Sequence, residues 1–315
     1  MKISFVIPCY KSEKTIEKVV KEIISVVNSK NDDYEIVMVS DSSPDGVYKV
    51  IRNLCEMNNK LKGIEFSKNF GQHSALMAAY SLCTGDVIVS VDDDGQIPID
   101  ETYLLIDKLS EGYDVVYAKY AEKKYNIFRR LGSKINSWMM EWLINKPRTI
   151  SVTSFFVAKK YIIDEILKYK NSYPFVMGLV FRTTNRIANV IVNHRNREEG
   201  KSGYTFKKLI SLWMNGFTAF SVKPLRIATI VGCICALIGF IVGIVMVVRK
   251  IIDPSIAAGY TSLIAVTLFI GGLLMLMLGL IGEYIGRIYI SINNSPQYVI
   301  RDKINFNDKD DEQKR

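Results

Sequence analysis

The chain has 315 residues, a net charge of +9 from 41 Lys and Arg against 32 Asp and Glu, and a hydrophobic fraction of 49%. That fraction is high for a soluble protein, and the basic balance suits an anionic membrane leaflet better than nucleic acid, for which the sequence has no binding motif. The five scattered cysteines, an odd number, indicate neither a disulfide framework nor a zinc site.

Strands and helices alternate through the first part of the chain. Predicted strands lie at Ile3–Ile7, Glu35–Ser40, Leu61–Phe66, Asp86–Val91 and Tyr113–Tyr117. Predicted helices lie between and after them: one that Ser12 is expected to cap, then Pro44–Met57, Gly71–Cys83 and Pro98–Ser110. This alternation predicts an α/β fold with a parallel, doubly wound sheet. Such sheets bind ligands beyond the carboxyl ends of their strands.

The fourth predicted strand runs directly into an acidic segment that contains Asp92, Asp93, Asp94 and Gln96. Carboxylates at positions i and i+2 of a strand lie on the same side of it. Charges beside a core are costly without a partner, and Mg²⁺ commonly takes one or two carboxylates together with substrate phosphates. We therefore expect Asp92 and Asp94 to bind Mg²⁺ or Mn²⁺; the alternative is a solvated acidic turn.

Polar residues also follow the other predicted strands. These strand-end segments are Pro8–Tyr10, Asp41–Asp45, Ser67–Gly71 and Asp92–Gln96. Since the carboxyl ends of parallel strands meet at one edge of a sheet, the four segments are expected to converge on one crevice. Their convergence favours a binding site over a solvated turn.

Residues 123–145 combine basic side chains, including Arg129 and Arg130, with apolar and aromatic residues at helical spacing. This pattern is typical of a helix that lies in the membrane interface; the alternative is a solvated helix packed on the sheet. Residues 205–225 show a similar aromatic pattern and are interpreted as a second interfacial helix and linker.

Two long apolar segments, residues 226–249 and 258–283, are predicted to be transmembrane helices rather than buried core helices. The apolar start, Ile3–Ile7, is too short for a secretory signal, so we expect residues 1–225 and the tail, 284–315, to lie on the cytosolic side of the inner membrane. Small residues in the spans permit homo-oligomers. The polar segment Arg301–Arg315 is expected to be disordered.

Seven short motifs stand in a fixed order along the chain. They are Val6–Tyr10, Ser40–Asp45, Lys68–Gln72, Asp92–Pro98, Arg197–Tyr204, Phe220–Arg226 and Gly282–Arg287. With them the chain resembles the polyprenyl-phosphate glycosyltransferases, which are relatives of dolichol-phosphate mannose synthase among the family-2 glycosyltransferases. The resemblance implies a GT-A catalytic domain over residues 1–204.

The resemblance also implies roles for residues at the strand ends. Pro8 and Tyr10 would line the base and ribose pocket, and Asp41 would accept a hydrogen bond from the base or the ribose. Asp92 and Asp93 would contact the nucleotide. Asp92 and Asp94 match the metal-binding acid pair, with Gln96 as the glutamine beside it; Gln96 is counted with them as catalytic.

The remaining implied roles concern phosphate groups. Arg197, Lys201 and Ser202 match a loop that closes over the diphosphate and the acceptor phosphate, with Arg197 counted as catalytic. Arg129 and Arg130 lie where the basic interfacial helix of the family meets the lipid head group.

Two segments depart from the family pattern. Val152–Val157 stands where many members have an Asp-Phe-Arg-Leu-like segment, and Ser40 replaces the first acid of a common Asp-Asp motif, although Asp41 is retained. The missing acidic and basic residues put their usual contributions to donor and acceptor binding in question.

The resemblance implies inverting transfer of a sugar from a nucleotide diphosphate sugar, with UDP the expected carrier, to a polyprenyl phosphate such as undecaprenyl phosphate. Two alternatives remain. One is a membrane-anchored nucleotide-sugar sensor or scaffold without transferase activity. The other is a processive polysaccharide synthase, against which stands the missing Gln-x-x-Arg-Trp motif.

Overall fold

The structure is a computed structural model that describes residues 1–120, 141, 146–193, 223–253, 259–293 and 295–306. The chain divides into two compact units, the first formed by Met1–Gly203 with Asn294–Arg315 and the second by Tyr204–Asn293. Apart from Glu141 and the residues from Lys223 onwards, the two predicted interfacial helices lie outside the described residues.

The first unit contains a sheet of eight strands. They are β1 Lys2–Cys9, β2 Asp33–Ser40, β3 Leu61–Phe66, β4 Val87–Ser90, β5 Val115–Tyr120, β6 Phe156–Lys159, β7 Ile187–Val192 and β8 Ile300–Ile304. Their order across the sheet is β7-β5-β6-β4-β1-β2-β3-β8. The predicted strand Leu61–Phe66 is confirmed at both ends.

Helices connect these strands. In the first unit they are α1 Ile16–Lys30, α2 Val47–Met57, α3 Gln72–Leu82, α4 Thr102–Ser110, α5 Lys160–Leu167 and α6 Val176–Thr183. A 3₁₀ turn, Ile99–Glu101, precedes α4. The apolar positions of α1 repeat at helical spacing, and Ile16, Val19, Val20, Ile23 and Val27 are buried as that spacing predicts.

The expectation that Ser12 caps α1 through its side chain is wrong. The helix begins at Ile16, and its N-terminus has no side-chain cap. The backbone carbonyl of Ser12 instead accepts hydrogen bonds from the N–H groups of Thr15 and Ile16, both at 3.0 Å. A tight turn therefore satisfies the donors that a side-chain cap would otherwise satisfy.

The sheet is mixed rather than wholly parallel. Strands β1 to β4 pair in parallel as predicted, and β5 pairs in parallel with β7. However, β6 lies between β4 and β5 and is antiparallel to both, with Ser90 opposite Phe156. This four-residue strand runs straight into α5, so it lacks the local pattern by which β1 to β5 were predicted. Strand β7 was not predicted either.

The expectation of disorder after Arg301 is wrong for the described part of the tail. Strand β8 pairs antiparallel with β3, and the Tyr298 ring stacks on Phe66 at a centroid distance of 5.4 Å. Tyr48 Oη and Arg52 both donate to Asp302, at 2.9 and 2.5 Å. The charged side chains of β8 do not follow a strand pattern, and this strand depends on pairing with β3.

The second unit contains two long helices, α7 Lys223–Ile252 and α8 Tyr260–Ile292. Both are long and apolar enough to cross a membrane, over Ala228–Val245 and Phe269–Ile290. Helix α8 continues beyond residue 283, where the sequence analysis placed the end of the second span. The membrane crossing itself stays a prediction.

Candidate active site

The carboxyl ends of β1, β2 and β4 meet at one edge of the sheet, as the sequence predicts. The N–H of Asp41, after β2, donates to the carbonyl of Cys9 at the end of β1, at 3.1 Å. The N–H of Val91, after β4, donates to the carbonyl of Val6 at 3.0 Å. The polar residues that follow these strands therefore start from adjacent positions.

Asp93 connects the ends of β1 and β4. Its Oδ2 accepts a hydrogen bond from the N–H of Tyr10 at 2.9 Å, and its backbone carbonyl accepts one from Thr15 Oγ1 at 2.6 Å. Burial raises the pKa of Asp93, and the nearby charge of Asp94 raises it further, although hydrogen bonds oppose both effects. The structure thus shows Asp93 fixing the backbone of Tyr10, and its contact with nucleotide stays a prediction.

Tyr10 presents an aromatic surface at this edge. Its side chain is 47% exposed, and Lys11 Nζ lies 5.5 Å from its ring centroid. Lys11 has a φ of +60° and donates its N–H to Ser43 Oγ at 2.7 Å, so the loops after β1 and β2 are joined. Pro8 is half-buried and lies opposite Val39 in the sheet. An exposed ring on a fixed backbone suits stacking against a nucleotide base.

Asp41 is buried and holds the loop that follows β3. Its two carboxylate oxygens accept hydrogen bonds from the N–H groups of Phe70 and Gly71, both at 2.7 Å. Gly71 has a φ of +91°, a conformation that favours glycine. Burial raises the pKa of Asp41, and the two backbone donors oppose that shift. Its predicted contact with base or ribose would add to this structural role.

Asp92 is half-buried, and donors from two elements contact its carboxylate. Gln72 Nε2, in the first turn of α3, donates to Oδ1 at 3.2 Å, and Ser154 Oγ donates to Oδ2. Burial raises the pKa of Asp92 to about 6; the charges of Asp94 and Asp93 add to the shift, while the hydrogen bonds from Ser154 and Gln72 oppose it.

Asp94 and Gln96 form a turn around Gly95. The N–H of Gln96 donates to Asp94 Oδ1 at 3.1 Å, and Gln96 Nε2 donates to Asp94 Oδ2 at 2.7 Å. Gly95 has a φ of +70°, which lets the chain turn back on itself. The predicted neighbours Asp94 and Gln96 are therefore in direct contact.

Three further residues lie near the acid pair, and the sequence analysis gave them no role at the acid pair: Gln72, Ser154 and Tyr120. Tyr120 ends β5, and its phenol has a raised pKa, first because of burial and then because of the charges of Asp92 and Asp94. Gln72 lies within a motif quoted above. Ser154 and Tyr120 lie near the site because β6 pairs with both β4 and β5, and β6 was not predicted from the sequence.

The predicted phosphate-binding residues lie outside the described residues. They are Arg129, Arg130, Arg197, Lys201 and Ser202. Their roles stay predictions.

The donor set at the end of β4 fits a hard divalent cation. Carboxylate oxygens are the ligands that Mg²⁺ and Mn²⁺ prefer. Burial raises the pKa of Asp92, and repulsion by the charges of Asp94 and Asp93 adds to the shift. A bound cation would offset that repulsion. Within the described ranges, His, Cys, Asp and Glu form no cluster of three or more suited to a metal.

Residues 4–166 match the model of glycosyl transferase family 2. The chain belongs to this family. Residues 223–288 match a second model, the GtrB C-terminal hairpin, which covers most of α7 and α8. The GT-A class of fold expected from the resemblance is confirmed.

Relatives in the family are similar over nearly their whole length. The chain is 31% identical to the uncharacterized glycosyltransferase YkcC of Bacillus subtilis (strain 168), over 97% of this chain and 95% of the relative. It is 32% identical to the undecaprenyl-phosphate 4-deoxy-4-formamido-L-arabinose transferase of Klebsiella pneumoniae (strain 342), over 95% and 93%.

Among solved structures, the chain is similar to glucosyl-3-phosphoglycerate synthase from Mycobacterium tuberculosis in complex with Mn²⁺, UDP-glucose and phosphoglyceric acid. The TM-score is 0.52 and the sequence identity 16%, over 69% of this chain and 77% of that one. At this identity the likeness concerns the fold alone.

Proposed function

We propose that this family-2 glycosyltransferase transfers a sugar from a nucleotide diphosphate sugar, with UDP as the expected carrier, to a polyprenyl phosphate such as undecaprenyl phosphate. One observation carries the proposal: the chain combines a carboxylate edge beside Tyr10 with two apolar helices of membrane-crossing length. This combination suits a soluble donor and a lipid acceptor. The name of the Klebsiella relative supports the same acceptor class.

Residues at the strand ends would bind the donor. The Tyr10 ring would stack on the base, while Asp93 and Asp41 keep the flanking loops in place through their backbone hydrogen bonds. Asp92 and Asp94 would hold Mg²⁺ or Mn²⁺, which supplies Lewis-acid neutralisation of the leaving diphosphate. Gln96 would keep the Asp94 carboxylate oriented, since its side chain and backbone both contact it.

The acceptor phosphate would be bound by residues predicted from the sequence: the basic Arg129 and Arg130 at the interface, and the basic Arg197 and Lys201 with the hydroxyl of Ser202 in the closing loop. A phosphate monoester is already anionic near neutral pH, so transfer to it needs a dedicated general base less than transfer to a sugar hydroxyl does. Helices α7 and α8 would keep the protein at the cytoplasmic face of the inner membrane, where the lipid tail stays in the bilayer.

The test is a transfer assay with the full chain in detergent, undecaprenyl phosphate, Mg²⁺ or Mn²⁺, and a panel of radiolabelled UDP- and GDP-sugars. We expect metal-dependent label in the lipid phase from one donor. Donor binding without any lipid product across the panel would contradict the proposal and favour a sensor or scaffold. Polymeric product would instead indicate a processive synthase.

A further inference from the structure

We propose that Ser154 is a positioning residue that fixes the carboxylate of Asp92 for cation and diphosphate binding; this inference rests on the proposed function. Ser154 belongs to Val152–Val157, the segment that departs from the family pattern. The geometry indicates that this segment compensates for its missing charged residues by supplying a hydroxyl donor to Asp92.

The sheet register brings the two residues together. Strands β4 and β6 are antiparallel, with Ser90 opposite Phe156. If that register is continued for two residues after β4 and two residues before β6, Asp92 lies opposite Ser154. The contact is therefore set by backbone pairing rather than by a chance approach of two flexible side chains.

The backbone around Ser154 is held on both sides. Thr153 Oγ1 donates to the carbonyl of Ala118 on β5 and to that of Phe155, both at 2.9 Å. Phe155 is fully buried, and its carbonyl accepts a hydrogen bond from the N–H of Ala118 at 3.0 Å. The N–H of Ser151 donates to Asn189 Oδ1 on β7 at 2.8 Å. The Ser154 hydroxyl thus projects from a fixed segment.

Ser154 and Gln72 orient Asp92 from two sides, one donor on each carboxylate oxygen. An ionised carboxylate has about four acceptor positions, so both oxygens can still bind a cation. Gln72 is exposed and its hydrogen bond is 3.2 Å long, whereas Ser154 is half-buried. The fixed orientation of Asp92 therefore depends mainly on Ser154.

Groups that orient a metal ligand typically change metal affinity or activity about 10- to 100-fold when they are removed. We expect Ser154→Ala to weaken Mn²⁺ binding about 10-fold, and Ser154→Thr, which keeps the hydroxyl, to bind Mn²⁺ much as the wild type does. In the transfer assay Ser154→Ala should raise the Mn²⁺ concentration needed for half-maximal rate more than it lowers the rate at saturating Mn²⁺.

The experiment is a Mn²⁺ titration followed by electron paramagnetic resonance, with the full chain in detergent and UDP present. Ser151→Ala is the matched control, because Ser151 stands immediately before this segment and, among the described residues, only its backbone forms hydrogen bonds, with Asn189. If Ser154→Ala fails to fold, Ser154→Val and Ser154→Thr form a second pair that differs only in the hydroxyl.

Wild-type Mn²⁺ affinity in a folded Ser154→Ala or Ser154→Val variant would overturn the inference, and so would a wild-type protein that binds no Mn²⁺. A wild type that binds Mn²⁺ with UDP but transfers no sugar to lipid contradicts the proposed function instead. In that case weaker binding by Ser154→Ala still supports the positioning role.

Discussion

The carboxylates of three consecutive aspartates have different partners. The Asp93 carboxylate accepts the N–H of Tyr10, while Asp92 faces Gln72 and Ser154, and Asp94 contacts Gln96. Asp93 and Asp94 lie in a turn beyond the end of β4, where each of the three carboxylates is contacted by its own donors. Asp93 can therefore fix the pocket while Asp92 and Asp94 are left to bind ligand.

Asp94→Asn should abolish most transfer without unfolding the protein. The amide is nearly isosteric with the carboxylate but removes the charge that would bind the cation, and losing one such electrostatic contact at a reaction centre costs about 10²- to 10³-fold in rate. The measurement is the initial rate of lipid glycosylation at saturating donor and Mn²⁺. Asp107→Asn, an exposed acid on α4, is the control and should keep the wild-type rate. Near-wild-type transfer by Asp94→Asn would remove Asp94 from the metal site.

At the scale of elements, a buried carboxylate joins the central strands near their amino ends, opposite the active site. Glu35 on β2 accepts hydrogen bonds from Ser4 Oγ on β1, from Lys62 Nζ on β3 at 2.9 Å, and from the N–H of Thr84 before β4. Burial acts to raise the pKa of Glu35, but the hydrogen bonds from Ser4, Thr84 and Lys62 outweigh it, and the pKa is lowered. The ionised form is thus the one that stabilises the fold.

Glu35→Gln should lower the thermal midpoint at pH 7, and the difference from wild type should shrink in acid. A carboxyl with a lowered pKa contributes stability above its unfolded pKa of about 4.3 and loses that contribution as the pH falls through its folded pKa. Removing one partner of a buried pair costs about 3–5 kcal/mol, which corresponds to roughly 10 °C for a domain of this size.

Scanning fluorimetry of the full chain in detergent from pH 3 to pH 8 measures this difference. Glu56→Gln, on the exposed face of α2, is the control and should follow the wild type throughout. If Glu35→Gln has the same thermal midpoint as the wild type at pH 7, the hydrogen-bond network around Glu35 adds no net stability.

Local sequence pattern was enough for most elements but not for all of them. Strand Leu61–Phe66 is bounded by the change from apolar to polar residues, and the acid pair follows a buried strand, so both were predictable. The contact between Ser154 and Asp92 joins residues 62 positions apart through an antiparallel pairing. Strand β8 carries Arg301, Asp302 and Lys303, charged residues that are typical of a solvated tail. The strand could not be predicted because it forms only by pairing with β3, which is distant in the sequence.

At the scale of the whole molecule, α7 and α8 connect two parts of the chain that belong to the same compact unit. Two membrane crossings return the chain to the side on which it started. The proposed topology therefore places the active-site edge and β8 on one side and residues 254–258 on the other.

Single cysteines introduced for labelling test this topology. In intact cells, a membrane-impermeant maleimide should label Ser255→Cys but neither Asp100→Cys nor Arg301→Cys, because the last two exposed positions would lie on the cytosolic side. After permeabilisation all three should be labelled. The native Cys9, Cys55 and Cys83 are buried, and Cys233 and Cys235, which lie in the predicted span of α7, are first replaced by Ser to keep the labelling background low. Labelling of Arg301→Cys in intact cells would contradict a two-span arrangement.

Strand β8 has a practical consequence for shortening the protein. A fragment that stops before α7 would lose the strand that covers the edge of β3, together with Asn305, whose Nδ2 donates to the carbonyls of Cys55 and Leu61 at 2.7 and 2.8 Å. Uncovered strand edges promote aggregation between chains. A soluble catalytic fragment therefore needs residues 295–306 restored, through a flexible linker in place of the helices or as a separate peptide.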